Sequence, residues 1–315
     1  MKRLFTSAVA ALLAVTAFSQ NPNTVLRPEQ TVLLYAEEAS SLQDPVQGKI
    51  VSAGFTASHD NGLTADETYN DWGDIRNISR YARFDLYLPR QCNGELVLVL
   101  PGGGYGYVSA FNEGIYAAEW LIRRGIAAAV VKYRLPNGHY EVPIEDVHRT
   151  MDYCRAHAAE WGVRKIGIMG GSAGGHLAAW AAVYYQEGSR RPDFSILLYP
   201  VITLEAGDTH GGSMRHLTGG DARLIQDLSL QKKVTAQTPP TFIALSDNDK
   251  VVPTLNSVYY YEALKKNGVP AEVHIYSTGG HGWGFYSSEY GKDRLGDEYR
   301  YLFSRSLDLF LKKQN

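Results

Sequence analysis

The sequence predicts an α/β protein built on a parallel, doubly wound sheet, with a small insertion late in the chain. Strand and helix patterns alternate from about residue 82 to the end, the order that a parallel sheet with helices on both faces requires. Residues 95–100 and 126–132 are continuous apolar runs, the mark of strands covered on both faces. Residues 170–176 read Gly-Gly-Ser-Ala-Gly-Gly-His. They lie between a short apolar run and an alanine-rich stretch, so a Gly-x-Ser-x-Gly pattern falls on a strand-to-helix turn.

Taken in order, residues 1–19 read as an export signal. Lys2 and Arg3 precede a mostly apolar stretch over 4–18, and Ala17 and Ser19 are small residues at the −3 and −1 positions before Gln20. The stretch is too short for a comfortable membrane span, and no cysteine follows it, so neither a membrane anchor nor a lipid anchor is expected. The protein is expected to be exported, to the periplasm or the medium. Losing Lys2 and Arg3 with the signal takes the formal charge from −2 to −4.

Residues 20–80 read as an N-terminal extension. Within it 31–36 is a candidate strand, and 58–77 is rich in Asp, Asn, Gly and Thr and reads as loop. The main domain spans 81–315. Residues 82–88 alternate apolar and polar and stop at Pro89, which suits an antiparallel strand near a sheet edge. Further strands are expected at 165–169, 194–198, 241–245 and 271–276. Ile144, Val147, Met151, Cys154 and Ala158 recur at spacings of three and four, with Pro143 in a first turn that tolerates it. Helices are also expected at 173–185, 255–266 and 299–311. Residues 202–238 break the rhythm with polar, glycine-rich sequence around one short helix near 222–228. An insertion there would lie over the carboxyl ends of the strands as a lid or pocket wall.

At 315 residues, 44% hydrophobic, the chain suits one large domain. The formal net charge of −2 gives no reason to expect nucleic acid as a partner. Two cysteines, Cys92 and Cys154, cannot make a disulfide framework. Cys154 reads as a small buried hydrophobe. The nine histidines show no metal-ligand spacing beside a suitable carboxylate, so no metal is expected.

A serine forced onto a strand–turn–helix elbow projects its Oγ, and glycines flank it because a Cβ would meet the neighbouring strand or helix. Ser172 is therefore the candidate nucleophile. It needs a base, and the base needs an orienting acid. In the chain order that goes with such an elbow, the acid follows the serine and the histidine comes last. Residues 245–253 begin at the end of an expected strand. Asp249 is chosen because it stands in Asp-x-x-Val-Pro, and Asp247 is the alternative, with turn capping as its other role. His281 lies between glycines just past the last expected strand and is the candidate base. His176, His274, His139, His148 and His157 read as packed or solvated. A third requirement is a set of donors for a developing oxyanion. Pro101-Gly-Gly-Gly-Tyr105 follows a strand and offers bare backbone amides, with the amide of Ala173 completing the set. Neither a phosphate loop nor a dinucleotide fingerprint fits those glycines.

Together, Pro101-Gly-Gly-Gly-Tyr105, Lys132-Tyr-Arg-Leu135, Gly170-Gly-Ser-Ala-Gly-Gly-His176, Asp249-Lys-Val-Val-Pro253 and Gly280-His-Gly-Trp283 resemble the secreted acetylxylan esterase/feruloyl esterase-like branch of the α/β-hydrolases. The resemblance covers about 82–313 and leaves 20–80 unmatched. It implies an α/β-hydrolase fold, with a mostly parallel sheet of about eight strands. It also implies a cofactor-free serine esterase that removes acetyl, and in some members feruloyl, groups from plant polysaccharides or their oligosaccharides. Carried onto this chain, it implies Ser172, Asp249 and His281 as a triad, and Gly103, Gly104 and Ala173 as oxyanion donors. Tyr105, Tyr107 and Trp283 stand where they would face the pocket and stack on a sugar or aromatic acid.

Two rival readings remain. A peptidase of the prolyl-oligopeptidase kind shares the triad order, but about 60 mature residues before the core cannot build its gating propeller. A catalytically dead carbohydrate-binding hydrolase fold would be expected to lack one catalytic element, and none is missing.

Overall fold

The computed structural model describes residues 25–36, 38, 42, 44–185, 188–285 and 294–314. The expected export signal over 1–19 lies outside the described residues. The strands are β1 (Gln30–Leu33), β2 (Lys49–Ser52), β3 (Thr68–Tyr69), β4 (Asp74–Arg76), β5 (Arg83–Tyr87), β6 (Glu95–Leu100), β7 (Val108–Ser109), β8 (Ala127–Lys132), β9 (Lys165–Gly171), β10 (Ser195–Leu198), β11 (Thr241–Ser246) and β12 (Ala271–Tyr276). The helices are α1 (Tyr116–Ile122), α2 (Glu141–His157), α3 (Ser172–Val183), α4 (Gly211–Thr218), α5 (Ala222–Asp227), α6 (Leu255–Lys266) and α7 (Asp297–Gln314). A six-residue π-helix, Ala110–Ile115, leads into α1.

Nine strands form the main sheet in the order β12-β11-β10-β9-β6-β8-β5-β1-β2. From β12 to β8 every pairing is parallel, while β5 runs antiparallel to both β8 and β1. This is the α/β-hydrolase arrangement, with about eight strands expected and nine found. The difference comes from the N-terminal segment. It does not stand apart as an extension: β1 and β2 continue the main sheet, while β3 and β4 join β7 in a separate three-stranded sheet. The expected strand over 271–276 forms as β12, yet it is an edge strand and half-exposed rather than covered on both faces. β6, β8, β9 and β11 are buried along almost their whole length.

A buried ionic cluster anchors the N-terminal segment. Arg83 and Lys132 face one another across β5 and β8, and neither side chain is exposed. Asp44 receives Arg83 Nη2 at 3.0 Å and also Lys132 Nζ. Asp85 pairs with Lys132 at 2.6 Å and accepts from Thr31 Oγ1 at 2.6 Å. Burial alone would raise the Asp44 carboxyl, but Lys132 and Arg83 hold it below its usual range. Removing one partner of a buried ion cluster strands the others without compensation. Asp44→Asn is therefore expected to cost about 3 kcal/mol, read as a lower midpoint in urea unfolding.

All parallel strands end at one edge of the sheet, where ligands bind in open α/β folds. Register sets the neighbours there. Leu100 pairs with Gly170, so the loop after β6 emerges beside the turn into α3. Ser246 pairs with Tyr276, so the loops after β11 and β12 emerge side by side. The segment 202–238 holds α4 as well as the expected short helix α5. His210 caps α4 by accepting from the Ser213 amide, and Gly219 ends it at φ 60°.

Candidate active site

Ser172 opens α3 with φ 54°, a left-handed backbone that a serine keeps only where its surroundings impose it. The surroundings are tight. A Cβ on Gly174 would run into the carbonyl oxygen of Leu100, and one on Gly170 into the carbonyl of Gly174.

The turn aims the hydroxyl at the loop after β12. Ser172 Oγ lies 2.9 Å from His281 Nε2, and His281 Nδ1 lies 2.7 Å from Asp249 Oδ2. A carboxylate only accepts, so Nδ1 carries the proton and Nε2 is left to accept from the serine hydroxyl. Asp249 Oδ1 takes the amides of Val251 and Val252 at 2.8 and 3.0 Å, and its side chain is 1% exposed. The alternative, Asp247, is exposed and stands outside the relay. Asn248 Oδ1 accepts from the Gly280 amide at 2.8 Å. The Tyr199 ring meets the imidazole edge-on at 4.9 Å.

The three glycines after β6 divide by role. The Gly102 amide donates to Glu113 Oε2 at 2.6 Å. Among the described residues the Gly103 and Gly104 amides donate to no protein acceptor. Ala173 sits in the first turn of α3, where amides have no intrahelical partner. Gly103 takes φ 130°, and the loop is pinned by Tyr133 Oη on the Pro101 carbonyl and by His216 Nδ1 on the Gly104 carbonyl, each at 2.7 Å.

Glu113 was not foreseen from sequence. Its signal is one acidic side chain within the apolar 108–118 stretch, carried on the π-helix. Oε1 accepts from Tyr199 Oη at 2.8 Å, and that hydroxyl accepts from the Gly284 amide at 2.8 Å. One buried carboxyl thus ties the glycine loop to the loop that bears His281. Burial pushes this carboxyl above its usual range, against the hydrogen bonds from Gly102 and Tyr199.

Of the three aromatic residues expected to face substrate, only Tyr107 does. Tyr105 is 1% exposed, and its hydroxyl bonds His176 Nδ1 at 2.9 Å. His176 Nε2 donates to the Leu228 carbonyl at 2.9 Å, so Nδ1 accepts from Tyr105. Trp283 is fully buried. It donates to Ser246 Oγ at 3.1 Å and packs edge-on against Tyr199 and Phe303. Both are core residues that support the site from behind. Tyr107, with the Arg76 guanidinium 4.9 Å over its ring, lines a cavity of about 930 Å³ that opens onto Ser172 and His281. Trp72 and Asp74 from the N-terminal segment, and His210 and His216 from the 202–238 insertion, line it as well.

Residues 97–285 match the model of a family described as alpha/beta hydrolase fold. The chain belongs to the alpha/beta hydrolase fold family. The matched span runs from within β6 into the loop after β12, so it contains Ser172, Asp249, His281 and the glycine loop. The chain is 37% identical over 214 residues to an acetylxylan esterase of Xylanibacter ruminicola, covering 65% of this chain and 44% of that one. It is 32% identical over 283 residues to endo-1,4-beta-xylanase B of Butyrivibrio fibrisolvens, covering 84% of this chain and 43% of that one. The chain thus spans less than half the length of these curated relatives. An acetyl ester-xyloside bifunctional hydrolase from Caldicellulosiruptor lactoaceticus superposes with TM-score 0.64 and 31% identity, over 72% of this chain and 88% of that one.

Among the described residues no cluster of three or more His, Cys, Asp or Glu side chains is placed to hold a metal ion, and no helix is long and apolar enough to cross a membrane. Two histidines outside the relay set an acid limit on this hydrolase fold. Burial lowers both His176 and His148 to about 4. Unfolded imidazoles protonate near 6.5. The native state keeps both neutral where the unfolded state would charge them, so stability is complete above pH 6.5 and falls as pH drops towards 4. Urea unfolding at pH 7 and pH 5 should show this loss, and His148→Asn should reduce it by about half.

Proposed function

We propose that this chain is an exported serine carboxylesterase that removes acetyl groups from acetylated xylan and its oligosaccharides. The reading rests above all on the Ser172–His281–Asp249 relay, with hydrogen bonds of 2.9 and 2.7 Å, opening beside amides that lack acceptors. The names of the relatives above supply the substrate class.

The residues define the steps. Ser172 Oγ attacks the ester carbonyl carbon, and its proton passes to His281 Nε2. Asp249 holds the imidazole tautomer and balances the imidazolium. The oxyanion takes the amides of Gly103, Gly104 and Ala173. As the intermediate collapses, the C–O bond to the sugar breaks and the sugar oxygen leaves with the proton from Nε2. Water then gives a proton to His281 and attacks the acetyl-serine. Acetate departs and the proton returns to Ser172.

Acetate release from acetylated xylo-oligosaccharides by the purified protein tests this directly. Release is expected. Hydrolysis of a small aryl acetate without release from the sugars would remove xylan as the substrate and leave the esterase. Trp72 and Tyr107 both line the cavity and offer aromatic surface to a sugar ring. Trp72→Ala is expected to raise KM for the oligosaccharides about tenfold with kcat largely kept, the mark of lost uniform binding.

A further inference from the structure

A second cavity, of about 620 Å³, opens on the flank between α2, the end of α3 and the chain after α5. Its floor is a row of rings. Tyr140 lies against Trp180 with centroids 6.2 Å apart and planes at 24°, and Trp180 against Tyr184 at 6.5 Å and 27°. Tyr184 is 47% exposed. Trp180 stands eight residues beyond Ser172 on α3, about 12 Å along the helix.

Most of the charges around the rim are already matched, with Glu141 the lining carboxylate outside these pairs. Glu145 pairs with Arg134 at 3.2 Å, Arg190 with Asp152 at 2.7 Å, and Lys233 with Asp227 at 3.2 Å. An anionic ligand would have to break one of these pairs. A neutral ligand with an apolar face and hydroxyl edges would not: its C–H face stacks on the rings while its hydroxyls reach the rim. A pyranose chain has that form, and the volume lies within the range of ordinary ligand sites.

We propose that this cavity is a second binding site for xylan chains, which holds polymer near the catalytic cavity without taking part in the chemistry. The choice of xylan rests on the substrate reading above. A chain held there raises the effective concentration of ester groups at Ser172.

Titration calorimetry with unacetylated xylohexaose is the test, on the wild-type protein and on Tyr184→Ala, Tyr184→Phe and Trp72→Ala. Two binding events are expected for the wild type. Tyr184→Ala should weaken one at least tenfold, Tyr184→Phe should restore it, and Trp72→Ala should weaken the other. Wild-type binding in Tyr184→Ala overturns the proposal, as does a single event abolished by Trp72→Ala, or no binding at all. The ligand carries no ester, so the outcome is separate from that of the acetate assay. If acetylated xylan is not hydrolysed but Tyr184→Ala still loses a xylohexaose event, the flank site stands and acetylated xylan falls as the substrate.

Discussion

Ser172→Ala should lower kcat/KM for acetylated xylo-oligosaccharides by about a millionfold, to the residue of rate that oxyanion donors and substrate binding sustain without a nucleophile. The physical ground is the relay. His281 Nε2 has no proton of its own to give, and it faces one hydroxyl at 2.9 Å. Without Oγ there is no atom to form the acetyl intermediate. The position also stores strain, because Ser172 is held at φ 54°. A left-handed non-glycine residue costs about 1–2 kcal/mol, and alanine carries that cost as serine does. Ser172→Gly should be equally inactive yet about 1 kcal/mol more stable than Ser172→Ala. Equal stability of the two variants would show that the elbow is not strained, and activity surviving in either would remove Ser172 from the chemistry.

The sheet was legible in the sequence wherever a strand is buried on both faces. β6, β8, β9 and β11 read as apolar runs because no solvent-facing residue interrupts them. The N-terminal segment was legible only at β1, which falls on the candidate strand over 31–36. β2 has four residues and β3 two, too few for a period to emerge. β2 is mostly exposed. What docks the segment is Asp44 meeting Lys132, 88 positions away, and no local pattern announces a partner at that distance.

The relay was legible for the opposite reason, since each member sits in a short glycine- or proline-marked turn whose backbone demands are local. The aromatic residues beside those turns misled. Gly103, Gly104 and Tyr105 take φ values of 130°, 62° and 60° in succession. Such a path turns the Tyr105 side chain inward onto His176, and closeness to the motif in sequence does not disclose it. Trp283 follows the same lesson, two residues past His281 and wholly in the core. Trp72, far from every motif, reaches the cavity instead.

The pair Asp247 and Asp249 separates the relay from its surroundings most sharply. Asp249→Asn should lower kcat by about 10⁴-fold, because an amide facing His281 Nδ1 favours the tautomer that puts the proton on Nε2, where it can no longer accept from Ser172. Asp249 Oδ1 would still take the amides of Val251 and Val252, so the turn keeps its shape and KM should change little. Asp247→Asn, two residues away and in solvent, should leave kcat within about twofold, as surface changes away from such features do. Its role is a backbone one, with its amide on the Tyr276 carbonyl at 2.7 Å and its carbonyl accepting from Thr254 at 3.3 Å, and asparagine preserves both. Steady-state kinetics on the two variants decide the matter. A large loss in Asp247→Asn with little in Asp249→Asn would require the loop after β11 to reorganise around a different carboxylate when substrate binds.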